Sequence, residues 1–370
     1  MPFEVDLSVK VAGVSMKNPL VLSEGPLTAN ARLIKRAAEH PIGAITTKSI
    51  QQQNSRSENP YMIAAGRGLI NADWTATDLD GWLPELDQID IPMPLFTNIG
   101  TNKCPPKKAA EFAAVLQEHG ASFVTFSDYE PENLVDAIRF ARKQVKVPLM
   151  VKLPPFVKNI GDLCKRLEDA GVDMIAAMDA VGPAMDIDVK TRRPILGCDG
   201  SFGYLSSAPI FPLTLAYIAE IAQNVSVPIL GVGGVTCAED VIKLIMVGAT
   251  CVGMVGTPIL KGLSIFDKVE ADLKKWMVDN QVRSLDEIRG CAKEYMHHVA
   301  PQTLRAQVDA DACLGCGMCV TSCYAGAITQ NGEKKAVVNY DYCTGCGVCQ
   351  TVCRARAIRV SKDMAKSEGK

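Results

Sequence analysis

Eight of the chain's 14 cysteines fall in two short runs near the C-terminus. Cys313, Cys316, Cys319 and Cys323 form the first, and Cys343, Cys346, Cys349 and Cys353 repeat it. This C-x₂-C-x₂-C-x₃-C spacing holds iron–sulfur clusters, and two tandem runs predict two [4Fe–4S] clusters. Soft thiolates suit iron and sulfide, and spacings of three let one loop wrap three corners of a cube. The fourth cysteine of such a run ligates the other cluster. Cys313, Cys316, Cys319 and Cys353 are therefore expected to hold one cluster, and Cys343, Cys346, Cys349 and Cys323 the other. A pair of zinc sites is the competing chemistry. It fits poorly, because zinc sites rarely use three evenly spaced cysteines plus a fourth.

The stretches CLGCGMCVTSCYAGAI and CTGCGVCQTVCRARAI resemble bacterial-type ferredoxins. Gly315, Gly317, Gly345 and Gly347 allow tight turns whose amides can face sulfur. Ile328 and Ile358 are expected to anchor each half in an apolar core. Tyr324 and Arg354 stand where that family usually has proline after the fourth cysteine, which bears on cluster surroundings and not on ligation.

The elements that precede these runs must carry the rest of the chemistry. With 370 residues, 48% hydrophobic and 22% charged, the chain can build a large core and a small second domain. A net charge of −2 offers no electrostatic case for nucleic acid or membrane binding. No apolar run is long enough to span a bilayer, and MPFEVDLSVK is too polar for an export signal. The other cysteines, Cys104, Cys164, Cys198, Cys237, Cys251 and Cys291, are scattered, which with oxygen-labile clusters points to a reducing cytoplasm.

From about residue 19 to 260, apolar runs at 19–23, 43–49, 94–100, 122–127, 148–154, 173–179, 227–234 and 250–256 alternate with amphipathic stretches. The clearest helices are 107–120 and 238–248, each ending at glycine. Eight such strands predict a (β/α)₈ barrel of the TIM type over residues 1–300. A C-terminal α+β ferredoxin-like domain (301–362) and a charged tail (363–370) follow. An open doubly wound sheet is the alternative, but no G-x-G-x-x-G turn follows the first strand. The segment 262–305 reads as helical.

In such a barrel, phosphate binds in the loops after strands seven and eight. Gly233 and Gly234 in GVGGV, and Gly256 and Thr257 in GMVGTPIL, occupy those loops. Lys48 follows the second strand and Lys152 lies inside the fifth. A lysine in a buried parallel strand is unfavourable for packing, but at a strand's C-terminal end its charge suits an anionic reduced flavin. A lysine that reaches the rim and is solvated there is the bland alternative.

The stretches NPLVLSEGP, GAITTKSI, MVKLPP, PILGVGGV and CVGMVGTPIL resemble the class 1 dihydroorotate dehydrogenases. With the ferredoxin attached, the chain resembles the C-terminal half of dihydropyrimidine dehydrogenase. The resemblance covers nearly the whole chain and implies FMN at the strand ends. By motif position it places Ser23, Gly25, Lys48, Asn98, Lys152, Asp179 and Gly203 around the flavin. Gly233, Gly234, Gly256 and Thr257 would hold its phosphate, and Asn71 and Ser127 would face substrate. Relatives often dimerise, so a homodimer is allowed.

The family carries Asn-Leu-Ser-Cys-Pro after strand four, a flexible loop, and a catalytic cysteine that protonates a pyrimidine carbon. Here TFSDYEPENL replaces it. Aligned on Pro131, Ser127 stands for the asparagine and Glu130 for the cysteine, with the loop missing. Asp179 replaces a second substrate asparagine. A site that reads a pyrimidine edge without its amides leaves polar edges unpaired, which argues against orotate or uracil. Asp128, Tyr129, Glu130 and Cys198 are the candidate proton donors, and Arg192 and Arg193 are candidates to clamp an anion.

These residues predict an FMN-dependent iron–sulfur oxidoreductase. It would pass electrons between the clusters and FMN and act on a small molecule at an activated C=C or C–C bond. No nicotinamide fingerprint is present, so electrons need an external donor or acceptor, either a ferredoxin or an FAD/NAD(P)H subunit. The alternatives are an electron-transfer subunit with no substrate of its own and, more remotely, a barrel that has lost flavin and supports the ferredoxin.

Overall fold

The computed structural model describes residues 3–197, 199–296 and 303–362. The chain divides into two compact units, Met1–Met296 and His297–Lys370.

In the first unit all eight expected strands form, each inside its apolar run. They are Leu20–Leu22, Ala44–Thr46, Leu95–Gly100, Phe123–Ser127, Leu149–Leu153, Met174–Ala177, Ile229–Val232 and Cys251–Met254. Each pairs in parallel with the next, and Val252 pairs with Leu20, which closes the ring. Parallel strands covered on both faces favour continuous apolar runs. Accordingly, every residue of Leu95–Gly100 and Leu149–Leu153 is buried, Lys152 included.

Helices cover the barrel through amphipathic faces. Pro106–Glu118 buries Ala109, Phe112, Ala113 and Leu116, and Ala238–Val247 buries Val241, Ile242, Leu244 and Ile245. Phe96 and Phe123 pack at 4.8 Å between ring centroids inside a core that also holds Trp82, Phe126 and Phe266. Only three residues separate the fourth strand from helix Pro131–Ala141, which has proline at its first turn and Glu130 as its N-cap. A tight turn thus stands where the resemblance implies a flexible loop.

A four-stranded antiparallel sheet, in the order Val181–Ala184, Gly203–Ser207, Gly68–Asn71 and Met62–Ala65, grows from the loops after strands two and six. Asn71 is in register with Tyr204.

The segment 262–305 departs from expectation. Helix Ile265–Asp279 stops because Gln281 turns left-handed, and the Ser284–Glu287 capping box opens a separate short turn. A 3₁₀ turn at Lys293–Tyr295 follows, and Leu304–Val308 is a strand.

In the second unit, Leu304–Val308 pairs with Ile358–Lys362, and Ile328–Gln330 pairs with Ala336–Val338. Short helices Met318–Thr321 and Val348–Val352 sit within the cysteine runs. Ala306, Ile328, Ala336 and Ile358 form the small core together with Cys319 and Cys349.

Candidate active site

Two cavities meet at the C-terminal ends of the barrel strands and share Glu24, Gly25, Pro26, Asn71, Lys152, Asp179 and Ala180. The first is also lined by Lys48, Gln51, Asp73, Trp74, Ser127, Asp128, Tyr129 and Tyr204. The second reaches Ser207, Gly233, Gly234, Gly256 and Thr257.

Both lysines are fixed by carboxylates. Lys152 is in register with Ser127, pairs with Glu24, and lies 3.3 Å from Asp179 Oδ1. Burial by itself would lower its pKa, but Asp179 and Glu24 outweigh it and hold the ammonium above the usual lysine range. Lys48 pairs with Asp73. There burial wins and lowers the Lys48 pKa against the pull of Asp73. Asp73 Oδ1 accepts from the Thr75 amide at 3.0 Å. Burial alone would raise the Asp73 pKa, but Lys48 and Thr75 bring it below the usual carboxylate range.

The candidate proton donors separate by geometry. Glu130 is exposed and lines neither cavity, because as the helix N-cap it faces outward. Asp128 is buried with both oxygens engaged: Oδ2 accepts from Thr101 Oγ1 at 2.5 Å and Asn133 Nδ2 at 3.0 Å, and Oδ1 from the Glu130 amide at 2.8 Å. It shapes the turn. Tyr129 lines the cavity and packs on Tyr204 with centroids 5.6 Å apart. Burial, and then Asp179, Tyr204 and Glu24, push its phenol well above the usual range, so it stays protonated. Cys198 lies outside the described residues. Arg192 and Arg193 are exposed and line neither cavity.

The remaining predicted residues divide similarly. Asn71 and Ser127 line the first cavity. Asn98 is fully buried below it, donating to Ser49 Oγ at 2.7 Å and Ser127 Oγ at 3.2 Å, with its Oδ1 unpartnered. Ser23 is buried with an unpartnered hydroxyl and packs against Gly253. Gly203 lines neither cavity. Its close neighbours are Ile70 and Asn71, where a Cβ would collide. Glu24, Gln51, Asp73, Trp74, Tyr204 and Ser207 were not foreseen. Each lies within a few residues of a motif already recognised, but polarity alone did not separate them from ordinary loop residues.

The second cavity has the features of a phosphate cradle. No carbonyl among the described residues accepts from the amides of Gly233 or Gly234. Gly256 and Thr257 open a helix, where amides lack intrahelical partners. The Ser207 hydroxyl is buried and unpartnered. Gly234 has φ +80°, and a Cβ there would stand 2.4 Å from the Phe211 amide. At Gly256 a Cβ would stand 2.3 Å from Ser207 Oγ. Free amides around a space that no side chain can fill suit a phosphate. The adjoining lysines suit a flavin ring, so the residues present fit FMN.

In the second unit, one cavity is ringed by Cys313, Cys316, Cys319 and Cys353, and another by Cys323, Cys343, Cys346 and Cys349. These are the crossed sets that the tandem spacing predicts. Among the described residues no three such side chains converge on a point for one ion. Four thiols around a cavity suit a cubane, each corner of which takes one thiolate. Amides of Ala327 and Ala357 donate to Cys323 Sγ at 3.2 Å and Cys353 Sγ at 3.3 Å. Tyr324, in the usual proline position, hydrogen-bonds Thr344 at 2.9 Å and so links the two cysteine runs.

Comparison with known proteins agrees with both units. A family model for dihydroorotate dehydrogenase matches residues 105–277, and one for a 4Fe-4S dicluster domain matches residues 306–360. Among curated relatives is the dihydroorotate dehydrogenase B (NAD(+)) catalytic subunit of Shouchella clausii, 30% identical over 77% of this chain and 97% of the relative. The subunits of the same name from Methanothermobacter thermautotrophicus and Pyrococcus abyssi are 29% and 28% identical, covering 78% and 77% of this chain and 99% of each relative. No helix among the described residues is long and apolar enough to cross a membrane. The chain belongs to the dihydroorotate dehydrogenase family of FMN-binding oxidoreductases, with a 4Fe-4S domain following its barrel.

Proposed function

We propose that this chain is an FMN-dependent iron–sulfur oxidoreductase that acts at a CH–CH or activated C=C bond of a small molecule other than orotate or uracil. The observation that carries the substrate restriction is the lining of the first cavity. Asp179 and Ser127 line it, at the two positions where the family resemblance implies pyrimidine-reading amides, and Glu130, aligned by that resemblance with the family's cysteine, is exposed and does not line it. FMN, when bound, links one-electron traffic to two-electron chemistry. Lys152, held charged by Glu24 and Asp179, would lie beside its ring, and Gly233, Gly234, Gly256 and Thr257 would hold its phosphate. Tyr129 is the proton donor this reading favours. Two [4Fe–4S] clusters on the crossed cysteine sets would exchange electrons with a partner, either a ferredoxin or a flavin subunit that takes electrons from NAD(P)H.

The test is flavin and iron content of chain purified without oxygen, followed by a screen for compounds that reoxidise the dithionite-reduced flavin. About one FMN and about eight irons, the load of two cubanes, are expected, with orotate and uracil inactive and NADH consumed slowly by the chain alone. Rapid turnover of orotate would overturn the substrate restriction. Flavin reduction through the clusters with no compound able to reoxidise it would favour the alternative, an electron-transfer subunit without its own substrate.

A further inference from the structure

The charged side chains of the first cavity are predominantly of one sign. Glu24, Asp73, Asp128 and Asp179 bring four carboxylates to its wall, against the ammonium groups of Lys48 and Lys152. Both lysines are already paired, Lys48 with Asp73 and Lys152 with Glu24 and Asp179. Among the described residues, no arginine or histidine lines the cavity. An incoming anion would therefore meet an excess of negative charge and no uncommitted cation.

Two independent features point to what would enter instead. Gln51 is 8% exposed, lines the cavity, and its Oε1 has no hydrogen-bond partner. A buried acceptor left open calls for a donor. One wall is aromatic: Trp74 meets Tyr204 edge-on at 5.3 Å, and Tyr129 meets Tyr204 at 5.6 Å. Aromatic faces attract cations, most strongly where water is excluded.

We infer that the first cavity takes a small, flat, positively charged molecule carrying N–H donors, such as an amidinium or protonated amine, and rejects carboxylates of the same size. This rests on the oxidoreductase reading above and names the substrate class of that site. It also gives the replacement of amide by Asp179 a purpose: the change exchanges recognition of a neutral or anionic ring for recognition of a cation.

The experiment compares benzamidinium, benzamide and benzoate, which share a shape and differ in charge, with orotate as a fourth probe. Binding to the purified full chain is followed by calorimetry and, separately, by perturbation of the flavin absorbance. Benzamidinium is expected to bind at least tenfold more tightly than benzamide, and neither benzoate nor orotate is expected to saturate at millimolar concentration. Asp179→Asn and Asp73→Asn should each reduce the cation preference about tenfold while flavin content and melting temperature are checked in parallel. Should either variant lose flavin, the wild-type probe series alone decides. Benzoate or orotate binding as well as benzamidinium, equal binding of benzamide, or binding of no probe to flavin-loaded chain would each overturn the inference. A calorimetric cation preference in a chain that takes up no FMN would keep the charge selection and defeat the oxidoreductase reading.

Discussion

Lys152 Nζ lies 3.3 Å from Asp179 Oδ1, joining the fifth barrel strand to the loop after the sixth, while Glu24 from the loop after the first strand holds the same ammonium. One buried cation thus ties three strand ends together. The arrangement explains how a lysine persists in a strand whose every residue is buried.

Replacing Lys152 by methionine removes the cation and leaves Glu24 and Asp179 facing each other. Loss of one partner from a buried ion pair costs about 3–5 kcal/mol. The variant should unfold at clearly lower denaturant concentration and purify with little FMN. Normal stability with full flavin would refute the role assigned to this triad.

Tyr129→Phe keeps the ring that packs on Tyr204 and removes only the hydroxyl. Flavin content and stability should stay near wild type, while turnover falls by about 10²–10⁴, the usual worth of a positioned proton donor. Unchanged turnover would assign protonation to another group. Glu130→Gln, at an exposed helix cap, should leave turnover unaltered.

Gly234→Ala places a Cβ against the Phe211 backbone at a positive φ. The cradle must open to accept it, so the purified chain should retain its iron and lose most of its FMN. Separate assays of flavin and iron decide this, because the glycine loop lies in the first unit and the cysteine runs in the second.

Cys353→Ser should remove the cluster otherwise held by Cys313, Cys316 and Cys319, although it lies some 35 residues away along the chain. Iron content should fall by about half. If instead the cluster beside Cys343, Cys346 and Cys349 is lost, the crossed assignment fails.

Burial raises the pKa of three thiols, Cys104 to about 11 and Cys164 and Cys251 to about 12. In the unfolded chain these thiols ionise near 8.5. Above that pH the unfolded state therefore binds fewer protons than the native state, and stability falls as pH rises. The slope is about 1.4 kcal/mol per pH unit for each thiol, until the folded value is reached. Denaturant unfolding between pH 8 and 10 without oxygen should show this loss, and Cys251→Ala should reduce its slope. Alkylation of folded protein at pH 8 should modify the exposed Cys237 and Cys291 and spare the three buried thiols.

Much of this molecule was legible from local spacing. Two cysteine runs specify clusters because a cubane imposes short, regular intervals. Eight apolar runs specify eight buried strands because parallel strands covered on both faces admit few polar residues. Gly233, Gly234 and Gly256 could be placed from their order after strands seven and eight alone. The helical reading of 262–305 failed at Gln281, where the backbone turns left-handed, a conformation the apolar periodicity of the segment does not encode. Lys48 and Lys152 were visible as misplaced charges, but their partners Asp73 and Glu24 were not: Asp73 is brought back by the folding of the long excursion after strand two, and Glu24 by closure of the barrel. Tertiary structure alone also turned Glu130 outward and Tyr129 inward on the same short turn, and set Trp74, Tyr129 and Tyr204 along one wall. Sequence by itself determined the architecture and the iron–sulfur chemistry, because both follow from periodicity and spacing along the chain, while FMN followed from the family resemblance of the strand-end motifs. The charge and shape of the first cavity depend on side chains that converge from distant strand ends, and those only the folded barrel decided.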